Sequence, residues 1–171
     1  MGIMYNFHCK SCGRNKMAHL GAGMMFPRIC ENTLKSVKAG KRGWKLKRAA
    51  ESEEYVGVSA EDKIYVCDEC GCWDVLADVS VYGLADKENG PNEPFGVKTI
   101  AEWGYIPYVV NWYGQQDYRL IEEYVPKCRK CGGAMHARIA EEDAGAEEEP
   151  QLKCNFCGEP LPHGKVCGHW D

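Results

Sequence analysis

The sequence lacks long hydrophobic runs and any overall excess of positive charge. Within its 171 residues no segment approaches the ~20 consecutive apolar residues that a membrane-spanning helix requires. Residues 1–8 have neither the basic flank nor the apolar centre of a secretory signal. The formal net charge is −4, which excludes a chain that is polycationic throughout. These absences predict a cytoplasmic protein that does not act on a membrane.

Cysteine, in contrast, is abundant. The chain has eleven cysteines, and an odd number cannot pair completely as disulfides within one chain. Eight of them form four Cys-x-x-Cys-Gly motifs, at residues 9–13, 67–71, 128–132 and 154–158, here named knuckles 1 to 4. The cysteines of the knuckles are Cys9 and Cys12, Cys67 and Cys70, Cys128 and Cys131, and Cys154 and Cys157.

The form of the knuckle suits a metal ligand. A two-residue spacer lets one tight turn present both sulfurs to a single ion, at about 2.3 Å from zinc. The glycine permits the positive φ that such a turn requires. Two knuckles complete a four-thiolate site, so four knuckles predict two metal ions, which we expect to be two Zn²⁺.

A four-thiolate site leaves no position for a substrate or an activated water, so both sites are predicted to be structural. The sequence shows no nucleophile–base pair, no paired carboxylates and no open metal site, and we expect no enzymatic activity. An iron protein is an alternative, because rubredoxin-like sites also use two Cys-x-x-Cys-Gly knuckles. Rubredoxins usually carry proline after the first cysteine of one knuckle, and this sequence has none there. A thioredoxin-like redox role is disfavoured because that motif occurs once and opens a helix.

Sequential pairing of the knuckles is the simplest prediction. It joins Cys9, Cys12, Cys67 and Cys70 in one site and Cys128, Cys131, Cys154 and Cys157 in the other. The second set would form a β-hairpin zinc ribbon at about 124–160, with strands near 134–140 and 151–153. The acidic run 141–149 would be its solvated tip. The long segment between knuckles 1 and 2 is tolerable because loop-closure entropy rises only logarithmically with length.

The fold class predicted from these patterns is α+β, with two small zinc-ribbon-like β lobes. The N-terminal lobe spans 1–84, and a helical insertion at about 27–52 separates its two knuckles. A polar, turn-rich linker at 85–95 precedes a C-terminal lobe at 96–171. In the insertion, Cys30, Leu34 and Val37 have the spacing of one apolar helical stripe, with Gly40 as its stop. A second helix is expected from 44 to about 52.

Strands are predicted at 55–58, 64–66, 73–84, 105–113 and 118–125. Three cysteines remain outside the knuckles. Cys30 is predicted to be a core residue. Cys72 is either a ligand in place of Cys70 or a thiol beside the site. Cys167 and His163 lie close enough to knuckle 4 to compete for its metal, but a loose end packed on the ribbon is the preferred interpretation.

Two further segments are candidates for binding. Residues 31–50 include seven basic residues and one acidic residue. This segment could bind along a phosphate backbone or be a solvated helix face. The candidate nucleic-acid contacts are Lys35, Lys38, Lys41, Arg42, Trp44, Lys45, Lys47 and Arg48. An aromatic-rich segment is either a protein-contact surface or part of a core. Its aromatic residues are Trp103, Tyr105, Tyr108, Trp112 and Tyr113.

At the level of the knuckles, the chain resembles zinc-ribbon proteins. Residues 8–13, 19–27 and 65–73, with the terminal Trp170-Asp171, resemble those of an uncharacterised bacterial group of zinc-ribbon proteins. This resemblance implies the fold and the metal and implies no activity. Our leading expectation is therefore a non-enzymatic zinc-binding interaction or adaptor module with a protein partner. The first alternative is a nucleic-acid-binding zinc ribbon that uses residues 35–48, and the second is a rubredoxin-like iron or redox protein.

Overall fold

A computed structural model of the chain describes residues 2–23, 26–85, 105, 107–109, 118–138 and 152–170. Residues 86–95 of the predicted linker and the acidic run 141–149 lie outside these ranges. The chain divides into two compact units that alternate along the sequence. Unit 1 comprises Met1–Gly23, Asp62–Leu76 and Val125–Asp171, and unit 2 comprises Met24–Glu61 and Ala77–Tyr124.

The described residues form two helices and three small antiparallel sheets, so the broad α+β class is confirmed. The helices are α1 (Phe26–Lys38) and α2 (Trp44–Glu51). The strands are β1 (Gly2–His8), β2 (Asn15–Leu20), β3 (Val56–Val58), β4 (Asp62–Cys67), β5 (Trp73–Ala77), β6 (Val81–Leu84), β7 (Tyr118–Glu122), β8 (Met135–Ala137) and β9 (Lys165–Trp170). Neither helix combines the length and the apolar character needed to cross a membrane.

Unit 1 is built on the sheets β2-β1-β9 and β5-β4-β8. Its core is a cluster of buried side chains around the aromatic pair of Phe7 and Trp73, whose ring centroids lie 5.0 Å apart. Ala18, Ile64 and Leu161 pack in the same cluster. Two knuckle cysteines, Cys9 and Cys154, also belong to it, so two of the predicted metal ligands are core residues.

Unit 2 packs α1 and α2 with the sheet β3-β6-β7. Cys30, Leu34 and Val37 are each 0% exposed, which confirms the predicted apolar stripe and the placement of Cys30 in the core. The helix ends at Lys38, and Gly40 follows with a φ of 78° while its N–H donates to the Val37 carbonyl. A glycine in this left-handed conformation is a common helix stop.

The predicted strand 73–84 is wrong, because the structure divides it into β5 and β6. Asp78 lies between them, and its Oδ1 accepts hydrogen bonds from the backbone N–H and the hydroxyl of Ser80. Such local side-chain bonds compete with the hydrogen bonding of a continuous strand. The period-2 pattern of apolar residues continues from β5 through to β6. The sequence pattern therefore does not reveal the break between these two strands.

The C-terminal end was also predicted incorrectly. The segment expected to be a loose end is strand β9, which pairs antiparallel with β1, with Gly2 opposite Trp170. The predicted strand 134–140 is present in part as β8 but pairs with β4, while Lys153 makes only an isolated bridge to Pro160. The hairpin predicted between 134–140 and 151–153 is therefore absent from the described residues.

Leu34→Ala is expected to lower the free energy of unfolding by about 2–5 kcal/mol, because it leaves a cavity in a fully buried helix face. The matched control is Ile29→Ala on the same helix, since Ile29 is 43% exposed. Urea denaturation of both variants measures the difference. Equal small effects in the two variants would contradict the packing of α1 against the core of unit 2.

Candidate metal centres

All four knuckles have the same backbone geometry. The N–H of the first cysteine donates to the carbonyl five residues later, at 2.8, 2.8, 2.8 and 2.7 Å in chain order. The N–H of the glycine donates back to the carbonyl of the first cysteine, at 2.9, 3.0, 2.9 and 2.8 Å. The φ values of Gly13, Gly71, Gly132 and Gly158 are 70°, 64°, 81° and 81°. The prediction that these glycines adopt positive φ is confirmed.

The knuckle cysteines converge in two tetrads, and each tetrad could hold one metal ion. Site I consists of Cys9, Cys12, Cys154 and Cys157, and site II consists of Cys67, Cys70, Cys128 and Cys131. The sulfurs of each tetrad all lie within 4.8 Å of one another. Both tetrads lie in unit 1.

The spacing of the sulfurs fits one ion per tetrad. In site I the Sγ atoms of Cys9 and Cys157 are 3.6 Å apart. In site II the Sγ atoms of Cys67 and Cys131 are 3.4 Å apart. Four sulfurs at about 2.3 Å from a tetrahedral ion lie about 3.8 Å from each other. All eleven cysteines are free thiols, so no disulfide competes with these tetrads.

The sequential pairing predicted from the sequence is wrong. The cysteines of knuckle 1 lie with those of knuckle 4, and the cysteines of knuckle 2 lie with those of knuckle 3. Along the sequence, the second pair of knuckles is therefore nested within the first. The predicted arrangement of one site in each of two consecutive lobes, 1–84 and 96–171, is therefore not confirmed. The helical segment 26–52 lies between knuckles 1 and 2, as expected, but these knuckles belong to different sites.

Strand pairing explains the meeting of knuckles 2 and 3. Strand β4 leads into knuckle 2 and β8 leaves knuckle 3, and Cys67 lies opposite Met135 in the ladder between them. The N–H of Asp68 also donates to the carbonyl of Ala134 at 3.1 Å. The ladder thus holds the two turns side by side at the end of one sheet, where their four sulfurs converge.

Trp73 connects the two sites. It begins β5 directly after knuckle 2, and its side chain is 2% exposed. The Asn155 side chain in knuckle 4 accepts a hydrogen bond from the Trp73 N–H at 3.0 Å and donates one to the Trp73 carbonyl at 2.7 Å. The indole N–H of Trp73 donates to the Lys153 carbonyl at 2.9 Å. Three hydrogen bonds therefore link the chain beside site II to the turn that carries half of site I.

Backbone N–H groups lower the pKa of the first cysteine in knuckles 1, 3 and 4, which are Cys9, Cys128 and Cys154. In knuckle 4, the N–H groups of Cys157 and Phe156 lower the pKa of the Cys154 thiol to about 6. The Glu159 N–H acts in the same direction on Cys157, but desolvation and the neighbouring sulfurs of Cys9, Cys154 and Cys12 together outweigh it and raise the pKa of Cys157 to about 12. Crowded thiols of this kind retain protons until a cation displaces them, so metal binding releases protons.

The three remaining cysteines lie outside both tetrads. Cys30 donates from Sγ to the Ser59 carbonyl, and burial raises the pKa of its thiol to about 12. Cys72 is half-buried beside knuckle 2, where its carbonyl accepts the Cys67 N–H. Cys167 is exposed on β9 and donates to the Met4 carbonyl. Neither Cys72 nor Cys167 joins a tetrad, and the same holds for His163.

The candidate nucleic-acid contacts all lie in unit 2. Lys35 and Lys38 are on α1, Lys41 and Arg42 are in the connection between the helices, and Trp44, Lys45, Lys47 and Arg48 are on α2. Trp44 is 68% exposed at the start of α2. The Lys47 Nζ atom lies 3.7 Å from Oε1 of Glu51, which is one turn further along the helix. These side chains are not part of either tetrad.

Tyr105 and Tyr108 of the aromatic-rich segment are buried, at 6% and 2% exposure. The hydroxyl of Tyr105 donates to the Val56 carbonyl at 2.9 Å. Tyr105 and Tyr108 therefore belong to the core of unit 2. The core interpretation of the segment is confirmed for both of them. Trp103, Trp112 and Tyr113 lie outside the described residues.

Paired substitutions distinguish the nested arrangement from the sequential one. Cys9→Ser with Cys154→Ser damages only site I and should leave one metal ion per chain. Cys9→Ser with Cys67→Ser damages both sites and should leave none. Elemental analysis of purified protein measures the difference, and Cys30→Ser is the control that keeps both ions. The opposite result for the two double variants would restore the sequential pairing.

Asn155→Ala should lower the free energy of unfolding by about 1–3 kcal/mol, since it removes two hydrogen bonds and leaves Trp73 backbone groups without partners. Both metal ions should remain, because Asn155 provides no sulfur. Asn155→Asp retains the acceptor but sets a carboxylate oxygen against the Trp73 carbonyl, so it should also be destabilising. Denaturant unfolding at fixed zinc concentration measures both values. An unchanged stability in Asn155→Ala would show that the link to Trp73 contributes nothing.

Comparisons with known protein families, curated proteins and solved structures find no match to this chain. They add no support for the resemblance to a particular bacterial group. The two tetrads themselves are consistent with zinc-ribbon-like knuckles. What the described residues establish is a protein with two separate four-cysteine clusters, each of which could bind one metal ion.

Proposed function

We propose that this protein is a non-enzymatic zinc-binding protein in which two structural Zn²⁺ ions hold unit 1 together. The observation that carries the proposal is the convergence of eight thiols in two closed tetrads. Four sulfurs complete the tetrahedral coordination of zinc and leave no open position for a substrate or a water. The ions would therefore provide stability and no chemistry.

The construction of unit 1 supports a structural role for the metal. Its two sheets have three strands each, and the longest of these strands has seven residues. Small cores of this kind rarely stabilise a fold without disulfides or metal. Binding of structural zinc contributes about 10–16 kcal/mol in coupled folding and binding. Because Cys9 and Cys154 are themselves core residues, loss of the ions would also disrupt the packing around Phe7 and Trp73.

Zinc is preferred to iron on sequence grounds, since tetrahedral four-sulfur coordination accommodates both metals. The residues after the first cysteine of the knuckles are Lys10, Asp68, Arg129 and Asn155, where a rubredoxin-like site usually has one proline. A redox role would require an ion that changes oxidation state, which Zn²⁺ does not do.

Purified protein is expected to be colourless and to contain two equivalents of zinc per chain. Removal of zinc with a chelator should unfold unit 1, seen as collapse of the dispersed amide resonances of β1, β4 and β8. Re-addition of zinc should restore them. Visible absorbance from iron, or metal-free protein with these resonances intact, would contradict the assignment of structural zinc.

For the biological role, we propose an interaction module with a protein partner. Structural zinc makes a small surface rigid, and rigid surfaces bind with a smaller loss of conformational entropy. Exposed apolar side chains in unit 1 include Met17 and Phe156, at 48% and 62% exposure, and these can contribute to contacts. In unit 2 the most exposed large apolar side chain among the described residues is Trp44.

A second candidate function is nucleic-acid binding through residues 35–48. The specific observation in its favour is the exposure of Trp44 beside the exposed side chains of Lys41, Arg42, Lys45 and Arg48. An aromatic ring among cations can stack on a base while the cations neutralise phosphates.

One cross-linking experiment separates the two partner classes. A photoreactive amino acid replaces Trp44, and adducts formed in cells are treated with nuclease or with protease. Nuclease-sensitive adducts support the second candidate, and adducts that resist nuclease but contain a second polypeptide support the protein partner. In the purified protein, affinity for nucleic acid that does not fall with rising salt would exclude phosphate contacts by this segment.

A further inference from the structure

A groove with a basic rim lies in unit 1 next to site II. It has a volume of about 240 Å³, and Trp73, Leu76 and Met135 form its apolar lining. Three cationic side chains also line it: Lys127 directly precedes knuckle 3, and Arg129 and Lys130 lie within that knuckle. The lining also contains one carboxylate, that of Asp74.

The charge of this rim is not neutralised by the described part of the chain. Asp74 pairs with Lys16 at 3.2 Å. Lys127, Arg129 and Lys130 are exposed, and the described residues supply no ion-pair partner for any of them. Within the described ranges, these three cations of the groove lining therefore have no ion-pair partner and can bind an anionic ligand.

An exposed aromatic side chain lies close to the groove. A second, shallow depression shares Lys16, Trp73 and Asn155 with the groove and is lined in addition by Arg14 and Phe156. Phe156 is 62% exposed at the tip of knuckle 4, and the Arg14 guanidinium lies 4.0 Å from its ring centroid. The surface that spans knuckles 3 and 4 therefore combines exposed cations, apolar lining residues and an exposed aromatic ring.

We propose that this surface, defined by Lys127, Arg129, Lys130, Arg14 and Phe156, binds single-stranded nucleic acid. The cations would neutralise backbone phosphates, and the ring of Phe156 would stack on an unpaired base. An acidic peptide could pair with the cations, but its carboxylates would make no stacking contact with the ring of Phe156. Duplex bases are already stacked on each other and cannot reach Phe156 without unpairing.

The surface differs from the basic segment 35–48, which lies in unit 2. It depends on site I and site II because knuckles 3 and 4 carry Arg129, Lys130 and Phe156, while Lys127 and Arg14 directly adjoin knuckles 3 and 1, so it rests on the proposed structural metal. None of its five residues is a thiol ligand. Substitutions at these positions therefore test ligand binding while both metal ions remain in place.

Fluorescence anisotropy of the zinc-loaded full chain tests the proposal, with a labelled oligothymidylate of about 12 nucleotides, within the site sizes of small single-strand-binding modules. Binding should weaken with rising salt. Arg129→Ala with Lys130→Ala should reduce the slope of log affinity against log salt by roughly 1.4, or about 0.7 per lost phosphate contact. Phe156→Ala should weaken binding by roughly tenfold, as expected for one stacked base, and leave the salt slope unchanged.

Two control variants locate the effect. Lys165→Ala removes an exposed cation of unit 1 outside the groove lining and should bind like the unaltered chain. Lys45→Ala with Arg48→Ala alters the segment 35–48 and should also bind normally. Metal content is measured for every variant, which separates failure of this surface from failure of the zinc sites.

Four outcomes would overturn the proposal. They are absence of binding at low salt, full binding by Phe156→Ala, equal competition by a duplex or by polyglutamate, and loss of binding only in the Lys45/Arg48 variant. The last outcome would transfer nucleic-acid binding to the second candidate function. Equal competition by polyglutamate would indicate a surface for acidic polypeptides.

Discussion

The closure of each sulfur tetrad by two knuckles distant in sequence is the constraint on which unit 1 depends. A single knuckle presents two sulfurs, and two sulfurs leave a tetrahedral ion half coordinated. Completion of site I requires Cys9 and Cys154 to meet, although they are 145 positions apart in the sequence, and both are also core residues. A metal ion bound in site I would therefore stabilise the same part of the chain that hydrophobic packing stabilises.

The nested arrangement also explains how the rest of unit 1 is organised. Strand β9 returns to pair with β1, and β8 returns to pair with β4, so each late segment lies beside an early one. Trp73 and Asn155 then join the two sites through direct hydrogen bonds. Unit 2 is formed by the chain between these returning segments, which is why the units alternate along the sequence.

The pairing of the knuckles also determines where the side chains between their cysteines lie on the surface of unit 1. The turns that bring thiols together in a tetrad also carry exposed side chains between their two cysteines. Arg129 and Lys130 fall between the two cysteines of knuckle 3, and Phe156 falls between those of knuckle 4. A structural ion can therefore fix the position of contact residues without taking part in binding.

The sequence by itself determined the local elements: the form of each knuckle, the positive φ of its glycine, the apolar stripe of α1 and the core position of Cys30. These features depend on residues within a few positions of each other, so spacing is sufficient to predict them. Only the tertiary structure decided which knuckles form a tetrad together, because every Cys-x-x-Cys-Gly turn offers the same two sulfurs whatever its partner. The pairing of β1 with β9 and of β4 with β8 selects the partners, and that choice depends on contacts between segments far apart in the chain.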